Sequence, residues 1–202
     1  FDLILTALAI AAMSVAHTIT TMLVPPILLA YACLLSLPAL SATRAFEWRW
    51  LTKAGIAALI GYALAGWFLV PAFLERDAIN LAIYTEGYFD FHKHFVHPIQ
   101  LLWSKWGFGM SLEGLKDGIS YRLGFAAIAG TILAALGLPR LRHRSSGRPA
   151  HVVFFLALTA FALLMTTSIS TAIWEAVPPL RFLQFPWRFL TLTTFSMAFL
   201  TG

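Results

Sequence analysis

What this chain has least of is charge. Only 11% of its 202 residues are Asp, Glu, Lys or Arg, while 59% are hydrophobic and the mean hydropathy is +0.79. A soluble domain carries about a quarter charged residues. So few charges cannot solvate a globule of this size, which excludes an ordinary water-soluble domain and makes lipid the natural solvent. Cysteine is nearly absent as well. The single Cys33 lies in an apolar run, so a disulfide framework or a cysteine zinc quartet within the chain is excluded, and the thiol reads as a small packing group. A basic leader is also missing. The chain opens on Phe1-Asp2 and stops at Gly202 inside an apolar segment, so the expectation is a piece of a longer protein rather than a signal peptide followed by a mature domain.

What is present is a series of apolar runs separated by short polar breaks. A spanning helix needs about 20 apolar residues, and six segments approach this: 3–16, 22–40, 54–74, 123–139, 152–167 and 189–202. The fold class expected is all-α, a polytopic transmembrane bundle of about six spans in one domain over 1–202, the first and last truncated. His17 to Thr21 forms the first break. Pro25 and Pro26 are expected in the first turn of the second span, where a missing N–H costs little. Ala57, Gly61 and Ala65 recur every four residues, as do Ala126, Gly130 and Ala134. Such small-residue stripes let neighbouring helices approach closely.

The net charge of +5 could point to nucleic acid, but its distribution does not. Basic residues cluster in short loops between apolar runs, the layout of topology signals. Of the 14 Lys and Arg, Arg44, Arg49, Lys53, Arg140, Arg142, Arg144 and Arg148 fall in loops 41–53 and 140–151. The other half, Arg76, Lys93, Lys105, Lys116, Arg122, Arg181 and Arg188, is spread over longer segments. Density near the spans decides orientation. Loops 41–53 and 140–151 are therefore expected in the cytoplasm, and 75–122 outside.

Loop 75–122 is long, and long loops in compact units are functional or disordered. Residues 84–98 are dense in aromatics, and Trp103 and Trp106 follow. Disordered segments are poor in aromatics, so this loop is expected to fold down on the membrane surface or over the bundle. Trp174 to Pro179 reads as a short interfacial helix ended by prolines.

Several of these segments together resemble a known family. They are His94-Phe95-Val96, Pro98, Gln100-Leu101, Trp106-Gly107-Phe108-Gly109, Ser111, Gly114, Asp117 through Tyr121, and Leu123-Gly124. With Pro71 to Glu75 and Leu183 to Leu190, the chain resembles the bacterial 6-pyruvoyl-tetrahydropterin synthase-related membrane domain. In layout that family is similar to the GT-C glycosyltransferases. The resemblance implies a multi-pass bacterial plasma-membrane protein that takes sugars from a polyprenyl-phosphate donor at the outer face. A lipid-linked-substrate transporter or flippase, or a non-catalytic component of envelope assembly, is the alternative.

Within that frame the candidate residues sort by chemistry. A GT-C enzyme needs an external carboxylate to deprotonate the acceptor or to hold a divalent cation near the donor phosphate. Glu75, Glu86, Asp90, Glu113 and Asp117 are the candidates, although in that family the residue usually sits in the first external loop, expected here upstream of Phe1. Asp117-Gly118 reads equally as a turn, and Glu75 beside Arg76 and Asp77 as a local ion pair. His92, His94 and His97 invite a zinc reading, but an extended segment puts His92 and His94 on one face and His97 on the other. Interfacial or substrate-contacting histidines, His94 among them, fit better, and no metal is expected on the histidines. Arg181 and Arg188 lie on the outer side, where topology does not call for basic residues. Arg188 stands where Pro186 and Trp187 begin a helix, a position that opposes the macrodipole. An arginine there is suited to hold an anion such as a lipid phosphate. Trp103 and Trp106 would stack on the sugar.

Overall fold

The computed structural model describes residues 2–38, 40, 45–78, 80–142 and 148–202. Arg44, Arg144 and parts of loops 41–53 and 140–151 lie outside them. Among the described residues the protein is all-helical, with one isolated β-bridge and no strand. It divides into two compact units, 1–81 and 82–202.

In the first unit, α1 (Leu3–Ala16) opens where the Asp2 carboxylate accepts from the Leu5 N–H at 3.1 Å, an N-cap that satisfies an otherwise orphaned donor. His17, extended at φ −155°, ends it, and α2 (Thr18–Ser36) follows at once. The polar break is thus one residue, not five. His17 alone supplies the reversal, and the threonines after it join the helix. Pro25 and Pro26 consequently lie inside α2 rather than in its first turn.

The expected span 54–74 is two helices, α3 (Trp48–Leu64) and α4 (Gly66–Leu74), bent by 73°. The bend falls at Ala65, whose ψ of −3° leaves the helical range, just before Gly66, a poor helix former. The small-residue stripe of α3 is where α1 packs. Ala57 and Gly61 are buried, and a Cβ on Gly61 would stand 2.7 Å from the Ala7 carbonyl oxygen and 2.8 Å from the Ile10 Cβ. Another side of α3 borders an apolar cavity of about 690 Å³ shared with α1 and α2, into which Tyr31 and Tyr62 face.

In the second unit, α6 (Phe125–Arg142), α7 (Arg148–Thr166) and α9 (Leu190–Thr201) pack together. Phe155 stacks on Phe199 at 3.9 Å, and the Thr159 and Ser196 hydroxyls bond at 2.7 Å between α7 and α9. Gly130 of α6 lies so close to Thr201 that a Cβ there would overlap it. By length and composition Pro149–Thr166 can cross a membrane, and the bent α3–α4 pair passes the same test as one broken span. Leu3–Ala16, Thr21–Ser36 and Phe125–Leu141 are shorter apolar helices.

Residues 82–124 fold onto one end of this unit. They run through short 3-10 turns to α5 (Pro98–Leu102). The Val96 N–H donates to the Thr166 carbonyl at 2.8 Å, and Phe91 stacks on Trp174 at 5.1 Å. Trp174, on α8 (Thr171–Ala176), is wholly buried and donates its indole N–H to the Met165 carbonyl at 3.1 Å. Its segment is the short helix ended by prolines that the sequence predicts, and Trp174 itself is at the centre of the packing, because the aromatics of the loop and Phe189 enclose it.

Candidate functional site

The entrance to α9 is built around a strained turn. A 3-10 segment, Pro178–Leu183, ends at Gln184, whose φ of 63° and ψ of −48° are those of a γ-turn with positive φ. The turn is closed by the Phe185 N–H donating to the Leu183 carbonyl at 2.6 Å. The buried Gln184 amide donates to the Tyr84 carbonyl at 3.3 Å, which holds the turn against the loop. Pro186 then starts a 3-10 turn through Phe189 that runs into α9. Strain of this kind persists only where its surroundings impose it, and it clusters at functional sites.

The turn presents Arg188. Its Nη1 donates to the same Leu183 carbonyl at 2.8 Å, and its guanidinium lies 4.9 Å from the Phe185 ring and 5.9 Å from that of Trp187. The group is half-buried, and that burial lowers its pKa from the ordinary value. No carboxylate pairs with it among the described residues. A half-buried cation neutralised only by a carbonyl and aromatic faces leaves most of its five donors for an anion. Beside it, Trp187 Nε1 is a buried donor with no acceptor among the described residues.

Arg122 stands near this corner. Tyr121 and Trp187, the residues preceding the two arginines, lie ring to ring at 6.2 Å. Arg122, exposed and over the Phe125 ring at 5.8 Å, borders a cavity of about 430 Å³ between α6 and α9, whose walls include Gly124, Ala127, Ala198 and Thr201. Sequence reasoning counted Arg122 only as a topology charge. Arg181 turns elsewhere, donating from Nη2 to the Glu175 carbonyl at 3.4 Å.

The expected carboxylates separate into engaged and open groups. Asp117 is fully engaged. Its Oδ2 accepts from Gln100 Nε2 at 2.7 Å, and its Oδ1 from the Leu112 N–H at 2.7 Å and the Tyr121 hydroxyl at 3.0 Å. It is no turn residue, since the chain reverses at Gly114, with φ +79°, and Asp117-Gly118 lies in the returning arm. Tyr121 also reaches Ser111 Oγ at 2.9 Å, which meets His94 Nδ1 at 2.9 Å, while His94 Nε2 faces the Tyr88 carbonyl. Burial raises the Tyr121 pKa, the Ser111 hydrogen bond opposes, and the Asp117 carboxylate adds to the rise. His94 is therefore a buried structural residue. His92 is exposed, because residues 91–94 form a 3-10 turn and not the extended segment that would align them. It bridges Asp90 (Nδ1, 2.7 Å) and Glu175 (Nε2, 3.3 Å). Its pKa is raised first by the Asp90 hydrogen bond; burial opposes this, and the Glu175 bond adds to it. Burial pushes Asp90 upward, but the hydrogen bonds and charge of His92 leave its pKa lowered.

Glu75, Glu86 and Glu113 are exposed. His97 is exposed with its backbone N–H on Gln100 Oε1 at 2.8 Å. Among the described residues no three of His, Cys, Asp and Glu converge as a metal site. Trp103 and Trp106 are exposed, and Trp106 packs edge-on to Phe108 at 4.7 Å. Compared with family models, with curated proteins and with solved structures, the chain matches none.

Proposed function

We propose that this is a membrane-embedded domain that binds the phosphate of a polyprenyl-linked lipid at the Arg188 corner, as a GT-C-like glycosyltransferase domain does at the outer face of a bacterial plasma membrane. The observation that carries the reading is Arg188, a half-buried guanidinium with no acidic partner among the described residues, held by Leu183 and two aromatic rings. A phosphate would take its free donors as a planar, charge-assisted pair. The cavity bordered by Arg122 is walled by small and apolar side chains and suits the lipid's first isoprene units. Trp103 and Trp106 are both exposed for a sugar ring, Trp106 with Phe108 edge-on against it. Of the second unit's carboxylates, Glu86 and Glu113 stay exposed for acid–base work, whereas Asp90 and Asp117 are held by hydrogen bonds.

The membrane setting is supported by helices whose large apolar side chains face outward, among them Leu59, Leu74, Leu133, Leu136 and Phe195. Six spans, with loops 41–53 and 140–151 in the cytoplasm and 75–122 outside, is the topology that goes with it. One observation favours the alternative of a lipid-substrate transporter or flippase. The break between α3 and α4, at 73°, is the kind of discontinuous helix transporters use.

The test is direct. With the full chain in nanodiscs, Arg188→Ala should weaken polyprenyl-phosphate binding about tenfold or more, the worth of a charge-assisted hydrogen bond. Arg188→Lys should recover part of the loss, because it keeps the charge but not the fork. Unchanged affinity in a folded Arg188→Ala protein would sink the phosphate site. Sugar transfer by the wild type favours the enzyme, and flipping without transfer favours the transporter.

A further inference from the structure

Residues 103–120 form a hairpin turned inside out. Its two arms are pinched together by glycine: the Gly109 N–H donates to the Gly118 carbonyl at 2.8 Å, and the Gly118 N–H to the Met110 carbonyl at 2.9 Å. A Cβ on either Gly109 or Gly118 would stand 2.7 Å from the other's Cα. At its foot Ser104 and Ser120 bond at 2.8 Å, and the Leu123 N–H donates to the Leu101 carbonyl at 2.8 Å. Its serines and Asp117 point inward: Ser111 is buried, Ser104 and Ser120 bond to each other, and Asp117 accepts from Gln100, Leu112 and Tyr121. Its apolar side chains point outward. Trp106 is 79% and Phe108 87% exposed, and Met110, Leu112 and Leu115 at the tip are exposed with them. A hairpin in water has the opposite arrangement, so water is not what these side chains meet.

Charge and position narrow what they do meet. Lys105 and Lys116 flank the apolar shell, with Arg122 just beyond its foot, against one exposed acid, Glu113. Tryptophan together with lysine at the edge of an apolar surface is the composition of segments that lie in the headgroup region. The foot of the hairpin leads through 121–124 directly into the first turn of α6, an apolar helix. If α6 crosses a bilayer, the hairpin sits at headgroup depth. We propose that the hairpin 103–120 is a monotopic membrane anchor, its tip residues Phe108, Met110, Leu112 and Leu115 dipping into the acyl boundary and Lys105 and Lys116 contacting anionic headgroups. It goes beyond the phosphate site and shares with it the membrane setting of the second unit and Trp103 at the hairpin's foot.

The test uses the full chain with Cys33→Ser, a single Met110→Cys bearing an environment-sensitive fluorophore, and a parallel Phe161→Cys on the outward face of α7. Each is reconstituted into vesicles of phosphatidylcholine or of phosphatidylcholine mixed equally with phosphatidylglycerol. Lipids spin-labelled near the headgroup or deep in the chain serve as quenchers. The Met110 probe should be shielded from aqueous iodide and quenched most by the shallow label, because interfacial segments sit about 5–10 Å into the headgroup boundary. Quenching should be stronger with phosphatidylglycerol, and Lys105→Glu with Lys116→Glu should remove that difference. A Met110 probe open to iodide while the Phe161 probe is lipid-quenched overturns the anchor and leaves the membrane setting standing. Neither probe quenched overturns both. Shielding from iodide without lipid quenching means a second copy of the chain covers the hairpin, and equal quenching in the two lipids removes the anionic headgroups; each overturns the proposal.

Discussion

Gln184 holds a backbone conformation that L-residues avoid, at a cost of about 1–3 kcal/mol. Two substitutions separate the strain from the side chain. Gln184→Ala and Gln184→Gly both lose the hydrogen bond to the Tyr84 carbonyl, but only glycine relieves the positive φ. The glycine variant should therefore be the more stable of the two by about 1 kcal/mol or more, read as the difference in thermal or denaturant unfolding in detergent. Equal stability would mean the turn is not strained. The same turn explains why Arg188 sits where it does, since the Leu183 carbonyl serves both the Phe185 N–H and the guanidinium. Nothing at these positions in the sequence signals the turn: Leu-Gln-Phe-Pro reads as an ordinary approach to a helix, and the partner of Gln184 lies 100 residues away. The arginine itself stood out in the sequence, because a basic residue at a helix start opposes the macrodipole.

Elements in this protein are fastened in two ways, by small-residue packing and by polar clips. The first predicts that Gly61→Ala is costly. Its methyl would press on the Ala7 carbonyl and the Ile10 side chain, and overpacking of this kind costs about 1–3 kcal/mol, measurable as a lowered unfolding temperature. The second predicts a pH dependence for the clip between the 91–94 turn and α8. His92 has a raised pKa, so its contribution is full below about pH 6.5 and is lost as pH rises through the raised folded value. Asp90 has a lowered pKa, so its contribution is present above about pH 4 and is lost as pH falls through the lowered folded value. The stability lost in His92→Gln should therefore be greatest between about pH 4 and 6.5 and shrink at alkaline pH. Its size should be about 0.2–1 kcal/mol, since the pair is exposed. A difference independent of pH would show that the clip is not ionic. The stripe of α3 was readable from four-residue spacing. The clip was not, because Glu175 lies 83 residues from His92.

On the scale of the whole molecule, each unit shows outward the side chains that a water-soluble protein hides. Leu59 and Leu74 in the first, Leu133 and Phe195 in the second, are more than half exposed. Water would not tolerate so many together. The chain should therefore stay with the membrane pellet through alkaline carbonate washing and leave it only with detergent; release by carbonate would overturn the membrane reading. The span length is satisfied by α7, and by α3 with α4 if the broken pair is one crossing. The shorter helices α1, α2 and α6 would need a locally thinned bilayer or snorkelling flanking residues.

Composition and local spacing determined that this chain is helical, that at least one of its helices is long and apolar enough to cross a membrane, that the small-residue stripe of α3 is a packing seam, and that its aromatic loop is folded. These follow from the sequence because they depend on residues within a few positions of one another or on averages over the chain. Only the tertiary structure decided which polar groups are spent and which are left over. Asp117 is bound by three donors and His94 is buried, whereas Arg188 stands half-buried without a counter-charge among the described residues. It alone turned the 103–120 hairpin inside out, because its inward polar network closes through Gln100 and Tyr121, outside the hairpin itself. A hydrogen bond between distant segments is decided by how they pack, and no local pattern encodes that.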